Sequence, residues 1–187
     1  MNFDEFIERE TEQKNADPSH LREKRLQEWR RRVAELYDMV KDIMSEYAQS
    51  GKVSITTDDD LDLYEELLGH YKVPQMKITL GSLGKYVTLD PVGAYVIGAW
   101  GRVDMRGPNG ATVRLVLVDS HLKSPRFRVT DKVVDEPVPQ KSNPLPAQAQ
   151  TEPDPAWRLA TLPPKIEYIP ITKTTFLEAV MNLFGYE

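Results

Sequence analysis

Asp104, Asp119 and His121 are the residues of this 187-residue chain whose types and spacing come nearest to a catalytic arrangement. A carboxylate on each of two adjacent extended segments can hold one magnesium ion, and a basic group just beyond the second can orient water there. Whether they meet depends on the turn between the segments, Gly107-Pro108-Asn109-Gly110. Proline fixes φ at about −65°, so Pro108 cannot start a primed two-residue turn, which needs positive φ at that position. The alternative is a type I turn on Pro108-Asn109 closed by a left-handed Gly110, a three-residue loop with a bulge. That turn pairs Met105 with Val113, Val103 with Leu115 and Gly101 with Leu117, and sets Asp104 opposite Arg114. Asp119 then lies five residues beyond Arg114, about 17 Å away at ~3.4 Å per residue, and on the other face of the hairpin. Magnesium holds its ligands at about 2.1 Å, so one ion cannot bridge this pair.

The segments GRVDM and VLVDSHLK resemble the metal-dependent PD-(D/E)XK nucleases, which place an aspartate on one strand and an acid-x-lysine on the next. The resemblance implies magnesium-dependent phosphodiester cleavage, with Asp104 as the first acid and Asp119 as the second. His121 stands where that pattern has its lysine, and the hairpin separates the two acids, so no catalytic residue, metal or cofactor is expected. Other constellations fail earlier. His20, His70 and His121 show no metal-binding spacing and are read as structural or solvent-exposed. Gly98 and Gly101 do not form a dinucleotide fingerprint, and no Walker loop occurs. Asp58-Asp59-Asp60 with Asp62 lacks the glycine and terminal glutamate of an EF-hand and reads as a solvated acidic loop.

What the hairpin offers instead is surface. Its register gives one apolar face, Tyr95, Ile97, Ala99, Val103, Met105, Val113, Leu115 and Leu117, which is expected to meet a core. The other face carries Trp100, Arg102, Asp104, Arg106, Thr112, Arg114, Val116 and Val118, with Asp104 and Arg114 expected as an exposed cross-strand pair of small energetic weight. Between Gly101 and Lys132 stand seven Lys or Arg against three acids, and Arg126 and Arg128 alternate on a following strand-like run. Trp100, Arg102, Arg106, Arg114, Arg126 and Arg128 are therefore the candidate interaction surface. Arginine beside an exposed aromatic suits a protein partner, where both are enriched at hot spots. It equally suits single-stranded nucleic acid, through phosphate contact and base stacking. Burial beneath a helix, or simple solvation, would make the face inert. A second basic cluster, Arg22, Lys24, Arg25 and Arg30-Arg31-Arg32, is diluted by Glu23 and Glu28 and reads mostly as helix surface.

The elements that must position this surface begin with a long helix. Asp17-Pro18 reads as N-cap and first helical residue, and Gly51 as the glycine just past the end. Between them Leu26, Trp29, Val33, Leu36, Val40, Ile43 and Tyr47 alternate spacings of three and four, a heptad seam. The seam either packs across the domain's own sheet or mediates homo-oligomer formation from Leu26 to Tyr47. Lys52 to Thr57 reads as a strand, and Asp58 to Gly69 as one or two helical turns or an acidic hairpin. Tyr71 to Leu80 reads as a strand with Pro74 at an edge or bulge, and Lys85 to Asp90 pairs back after a Gly81–Gly84 turn. Trp157–Thr161 and Lys165–Ile169 look extended. Thr175 with Glu178 forms a capping box for a last helix, with apolar face Phe176, Leu177, Val180, Met181 and Phe184, ended by Gly185. The sum is an α+β fold, an antiparallel sheet packed by one long helix and a C-terminal helix. Residues 1–16 form a helical extension, capped by Asn2 with Glu5 and apolar only at Phe3, Phe6 and Ile7. The main domain is 17–132, a loop with six prolines follows at 133–156, and 157–187 completes the same domain.

A net charge of −5 disfavours nucleic-acid binding by the whole molecule while leaving local basic patches free to bind. The absence of cysteine removes disulfides, thiol catalysis and cysteine-bound zinc. No apolar run approaches the roughly 18 residues of a membrane span, and the acidic opening MNFDEFIERE lacks the layout of a signal peptide, so a cytoplasmic protein is expected. Gly101–Met105, Gly107-Pro108 and Leu115–Val118 resemble a family of small bacterial proteins of unknown function, which implies a bacterial cytosolic origin and no particular activity. The expected function is a non-enzymatic interaction or accessory module of a bacterial cytosolic assembly, using the long helix and the Arg/Trp hairpin face to meet a protein partner. The alternative is a nucleic-acid or nucleotide-binding protein acting through the Trp100–Arg114 face.

Overall fold

The computed structural model describes residues 18–125 and 154–185. The helical extension read at 1–16, the expected N-cap Asp17, Arg126, Arg128 and the proline-rich stretch as far as residue 153 lie outside the described residues. Helix α1 spans Pro18–Gln49. Seven antiparallel strands follow, paired in strict sequence order. They are β1 (Val53–Glu65), β2 (Gly69–Leu80), β3 (Lys85–Gly93), β4 (Arg102–Arg106), β5 (Thr112–Asp119), β6 (Pro155–Ala160) and β7 (Tyr168–Pro170). Helix α2, Lys173–Leu183, closes the fold. This is the expected α+β class. Because β6 pairs with β5, the residues after the proline-rich stretch belong to the same sheet.

One alternating set of strand residues, including Val73, Ile78, Leu89, Val103, Met105, Leu115, Leu117 and Leu159, is buried with the apolar sides of both helices in a single core. Leu26, Trp29, Val33, Leu36 and Val40 are buried there, so the heptad seam packs on the chain's own sheet. Towards its C-terminus the buried stripe moves to Tyr37 and Met44, while Ile43 and Tyr47 are only partly covered. A straight helix drifts this way from a strict seven-residue repeat, whereas a coiled coil would keep Ile43 inward.

Tyr37 ties α1 to the sheet centre, its hydroxyl lying 2.8 Å from the Pro74 carbonyl and 3.0 Å from that of Leu89. Trp29 stacks at 6.2 Å on Trp157 of β6, whose indole N–H donates to the Arg32 carbonyl at 2.9 Å. Gly101 passes so close beneath the Trp29 ring that a Cβ would overlap it.

The ambiguous Asp58–Gly69 stretch is strand and turn. β1 runs on to Glu65 with a bulge between Asp58 and Leu61, and Pro74 sits opposite that irregularity. Three expectations are corrected. The last helix is capped three residues earlier than read, by Thr172 with Thr175 in a reciprocal capping box, so α2 starts at Lys173. Met181 faces solvent at 50% exposure, and Ala179 and Leu183 take its place in the core. The second extended run, expected at Lys165–Ile169, is a shorter strand shifted to Tyr168–Pro170. Gly51 and Gly185 follow their helices with positive φ, as read. No described helix is long and apolar enough to cross a membrane.

Candidate interaction site

The hairpin forms in the register its turn dictates. Arg102 pairs with Val116, Val103 with Leu115, Asp104 with Arg114 and Met105 with Val113. Gly110 has φ +77°, and the Gly107 and Ala111 backbones close the loop at 2.9 Å. Asp104 and Asp119 fall on opposite faces, five positions apart along the ladder, and do not converge. His121 is exposed beyond the strand, His20 is exposed near the start of α1, and His70 stacks on Tyr64 at 4.8 Å. The acidic run sits in the β1 bulge, where Asp60 pairs with Lys72 at 2.7 Å.

Both helices lie on one face of the sheet, leaving the candidate surface on the other. Across it, register partners place Asp58, Gln75, Asp90, Asp104, Arg114, Ala160 and Tyr168 in one row. Asp104 is not the exposed partner of Arg114 that the pattern implies. It is 4% exposed, and it binds Arg102 on its own strand through Nε at 2.6 Å and Nη2 at 2.7 Å. The reason is the adjoining strand: β3 sets Asp90 directly across from Asp104, and two neighbouring carboxylates require more than one cation. Arg106 spans both, 3.3 Å from Asp90 and 3.9 Å from Asp104. Gln75 at 2.6 Å and Thr88 at 3.0 Å complete the hydrogen bonds to Asp90. Two arginines and two aspartates thus neutralise one another. Arg114, half-buried, has no hydrogen bond or ion pair among the described residues.

Trp100 departs from the expected face. It precedes β4, and its ring packs towards the helix-side core beside Arg25, Trp29 and Leu117. The reason is that residues 94–101 are not a strand. They form a loop with a single internal bridge, Val96 to Ala99, and a left-handed Gly98. Tyr95 and Ile97, read as core residues, are 49% and 95% exposed, and Ala99 is half-buried.

The loop is clamped at both ends. Glu65 accepts hydrogen bonds from the Ala94 N–H at 2.9 Å and the Tyr95 N–H at 2.8 Å, and the Tyr71 hydroxyl donates to the same carboxylate. Burial, then the hydrogen bond to Glu65 and its charge, push the Tyr71 phenol above the usual tyrosine range. From α1, Arg25 donates to the carbonyls of Ala94 at 2.7 Å and Trp100 at 2.9 Å, and lies 5.3 Å over the Tyr95 ring. Arg25 is therefore a loop clamp rather than helix surface. The rest of that basic cluster reads as expected where its contacts are on the surface: Arg31 and Arg32 bridge Glu28 and Glu35.

Sequence reading missed Glu65 and Asp90, and mistook the roles of Arg25 and Ile97. The available signal was Gly98 and Gly101 within an otherwise strand-like run, since two glycines in four residues weaken a strand.

Two hollows adjoin the loop and the sheet end. One, of about 190 Å3, lies between Val96–Ala99 and the β6–β7 connection, over Arg114 and Val116. The other, of about 860 Å3, is lined by His121, Lys123, Arg158, Lys165 and Tyr168 among others. Compared with protein-family models, curated proteins and solved structures, the chain gives no match.

Proposed function

We propose that this protein is a non-enzymatic interaction module, an accessory subunit of a bacterial cytosolic assembly, that engages a protein partner through the outer sheet face and the Ala94–Trp100 loop. The observation that carries the reading is Ile97. It is 95% exposed at the tip of a loop whose two ends are fixed by Glu65 and Arg25. A lone exposed isoleucine is ordinary. A branched apolar side chain held out on a preorganised loop, beside a fixed guanidinium–carboxylate network, has the form of an interface anchor, because little ordering entropy remains to be lost on binding. The bacterial cytosolic setting extends the resemblance carried by Gly101–Met105 and Leu115–Val118. Affinity purification of the full chain from its native host, followed by light scattering, tests the reading. A stoichiometric complex is expected, and a protein recovered alone and monomeric at every concentration and salt would contradict it.

The second reading, nucleic-acid or nucleotide binding, draws support from the wider groove, where Lys123, Arg158 and Lys165 surround Tyr168. Against it, Arg102 and Arg106 are neutralised by Asp104 and Asp90, Lys165 pairs with Glu167 at 2.6 Å, and Trp100 packs towards the core. Phosphate neutralisation would make such binding weaken steeply with salt. Absence of binding to single- and double-stranded oligonucleotides at low salt removes this reading.

A further inference from the structure

We infer that the hollow over Arg114 is a binding site for a small organic monocarboxylate with an apolar body. The site goes beyond the docking role proposed for Ile97, which also lines this hollow; its charged group is Arg114. Its floor is Arg114, Val116 and Ala160, and Val96, Ile166 and Tyr168 contribute to its walls. The other three arginines of this face are engaged: Arg102 by Asp104, Arg106 by Asp90 and Arg158 by the Ser120 carbonyl at 3.1 Å. Arg114 alone among them presents a half-buried guanidinium with no partner among the described residues.

A guanidinium is permanently charged, and its planar fork of donors matches a carboxylate at two points. Apolar walls beside it exclude water and strengthen such a contact. The charge balance selects the ligand. Of the two cations lining the hollow, Arg102 is matched by Asp104, so Arg114 is the one without an ion partner among the described residues, which suits a monoanion. A phosphate dianion would bring its second charge towards Asp104, the neighbour of Arg114 in the row. The hollow, about 190 Å3 and open to solvent on one side, is on the scale of a small molecule.

The test is a titration of the full chain with isocaproate, followed by amide proton–nitrogen correlation spectra, with acetate and inorganic phosphate in parallel. Saturable shifts are expected at Val116, Ala160 and Tyr168, with acetate and phosphate weaker by about tenfold or more. Arg114→Gln, which removes no hydrogen bond or ion pair among the described residues, should weaken isocaproate binding by about tenfold or more while leaving the spectrum dispersed. Arg114→Lys should retain part of the affinity, and it decides the matter if the glutamine variant loses its fold. A short peptide ending in leucine, as free acid and as amide, identifies the source. Tighter binding of the acid than of isocaproate, lost on amidation, assigns the site to a chain terminus; tighter isocaproate binding assigns it to a free acid. No saturable shift, unchanged binding in both Arg114 variants, or a preference for phosphate would overturn the inference.

Discussion

Arg102 and Asp104 form a two-point ion pair along a single strand, 2.6 and 2.7 Å, with the Asp104 side chain 6% and the Arg102 side chain 26% exposed. Removing one partner of a buried pair leaves the other charge without compensation, at a cost of about 3–5 kcal/mol when both are fully buried. Arg102 retains some access to water, so Asp104→Ala should destabilise by about 2–4 kcal/mol. Urea denaturation of variant and wild type measures this; a change below about 0.5 kcal/mol, ordinary for a surface site, would mean that the pair is not effectively buried.

Tyr37 couples the helix to the sheet in a way that pH exposes. Burial pushes its phenol above the usual tyrosine range, and the Asp90 charge adds to the shift. A group whose pKa is raised on folding contributes stability that is intact below its unfolded value, about 10 for tyrosine, and is lost as pH rises through the folded value. Stability should therefore decline above about pH 10. Tyr37→Phe should cost about 1–2 kcal/mol at neutral pH and flatten the alkaline decline. Denaturation midpoints of both proteins from neutral to alkaline pH check it, and parallel curves would argue against the assignment.

Gly110 holds a left-handed conformation, φ +77°, with open space where a Cβ would stand. Substitution there acts through backbone strain and not through collision. Gly110→Val should cost about 1–2 kcal/mol, and Gly110→Asn distinctly less, because asparagine tolerates this region. Equal losses for the two variants would show that something other than φ sets the cost.

The hairpin register was legible because Pro108 and Gly110 leave few turns open and because a one-residue slip would mix arginine with leucine on both faces. Helix α1 was legible from its spacing, although only burial distinguishes a seam on a sheet from a seam on a second helix. The clamped loop was not legible. Tyr95, Val96 and Ile97 have strong strand preferences, yet Glu65, remote in sequence, captures the N–H groups of Ala94 and Tyr95. Asp104 was misjudged for the same kind of reason. Its environment depends on Asp90, and nothing in the spacing of β4 and β5 announces the carboxylate that β3 brings alongside.

Glu65 is the residue whose loss should free the loop. Glu65→Ala removes the acceptor for two N–H groups and the Tyr71 hydroxyl, and should destabilise by about 1–3 kcal/mol. Hydrogen exchange should accelerate at Ala94 and Tyr95 well beyond any change at Val103 or Leu115. Uniform acceleration across the sheet would indicate general loosening instead of a released clamp.

The central claim is that Ile97 is an anchor for a protein partner, and site-specific photocrosslinking in the native host tests it most directly. A photoreactive residue replaces Ile97 in one variant and Leu83, 69% exposed on the β2–β3 turn, in another. The account predicts one discrete adduct from position 97 and none from 83, with the complex lost in Ile97→Asp and kept in Leu83→Asp. Equal crosslinking from both positions, or a complex indifferent to Ile97→Asp, would contradict it.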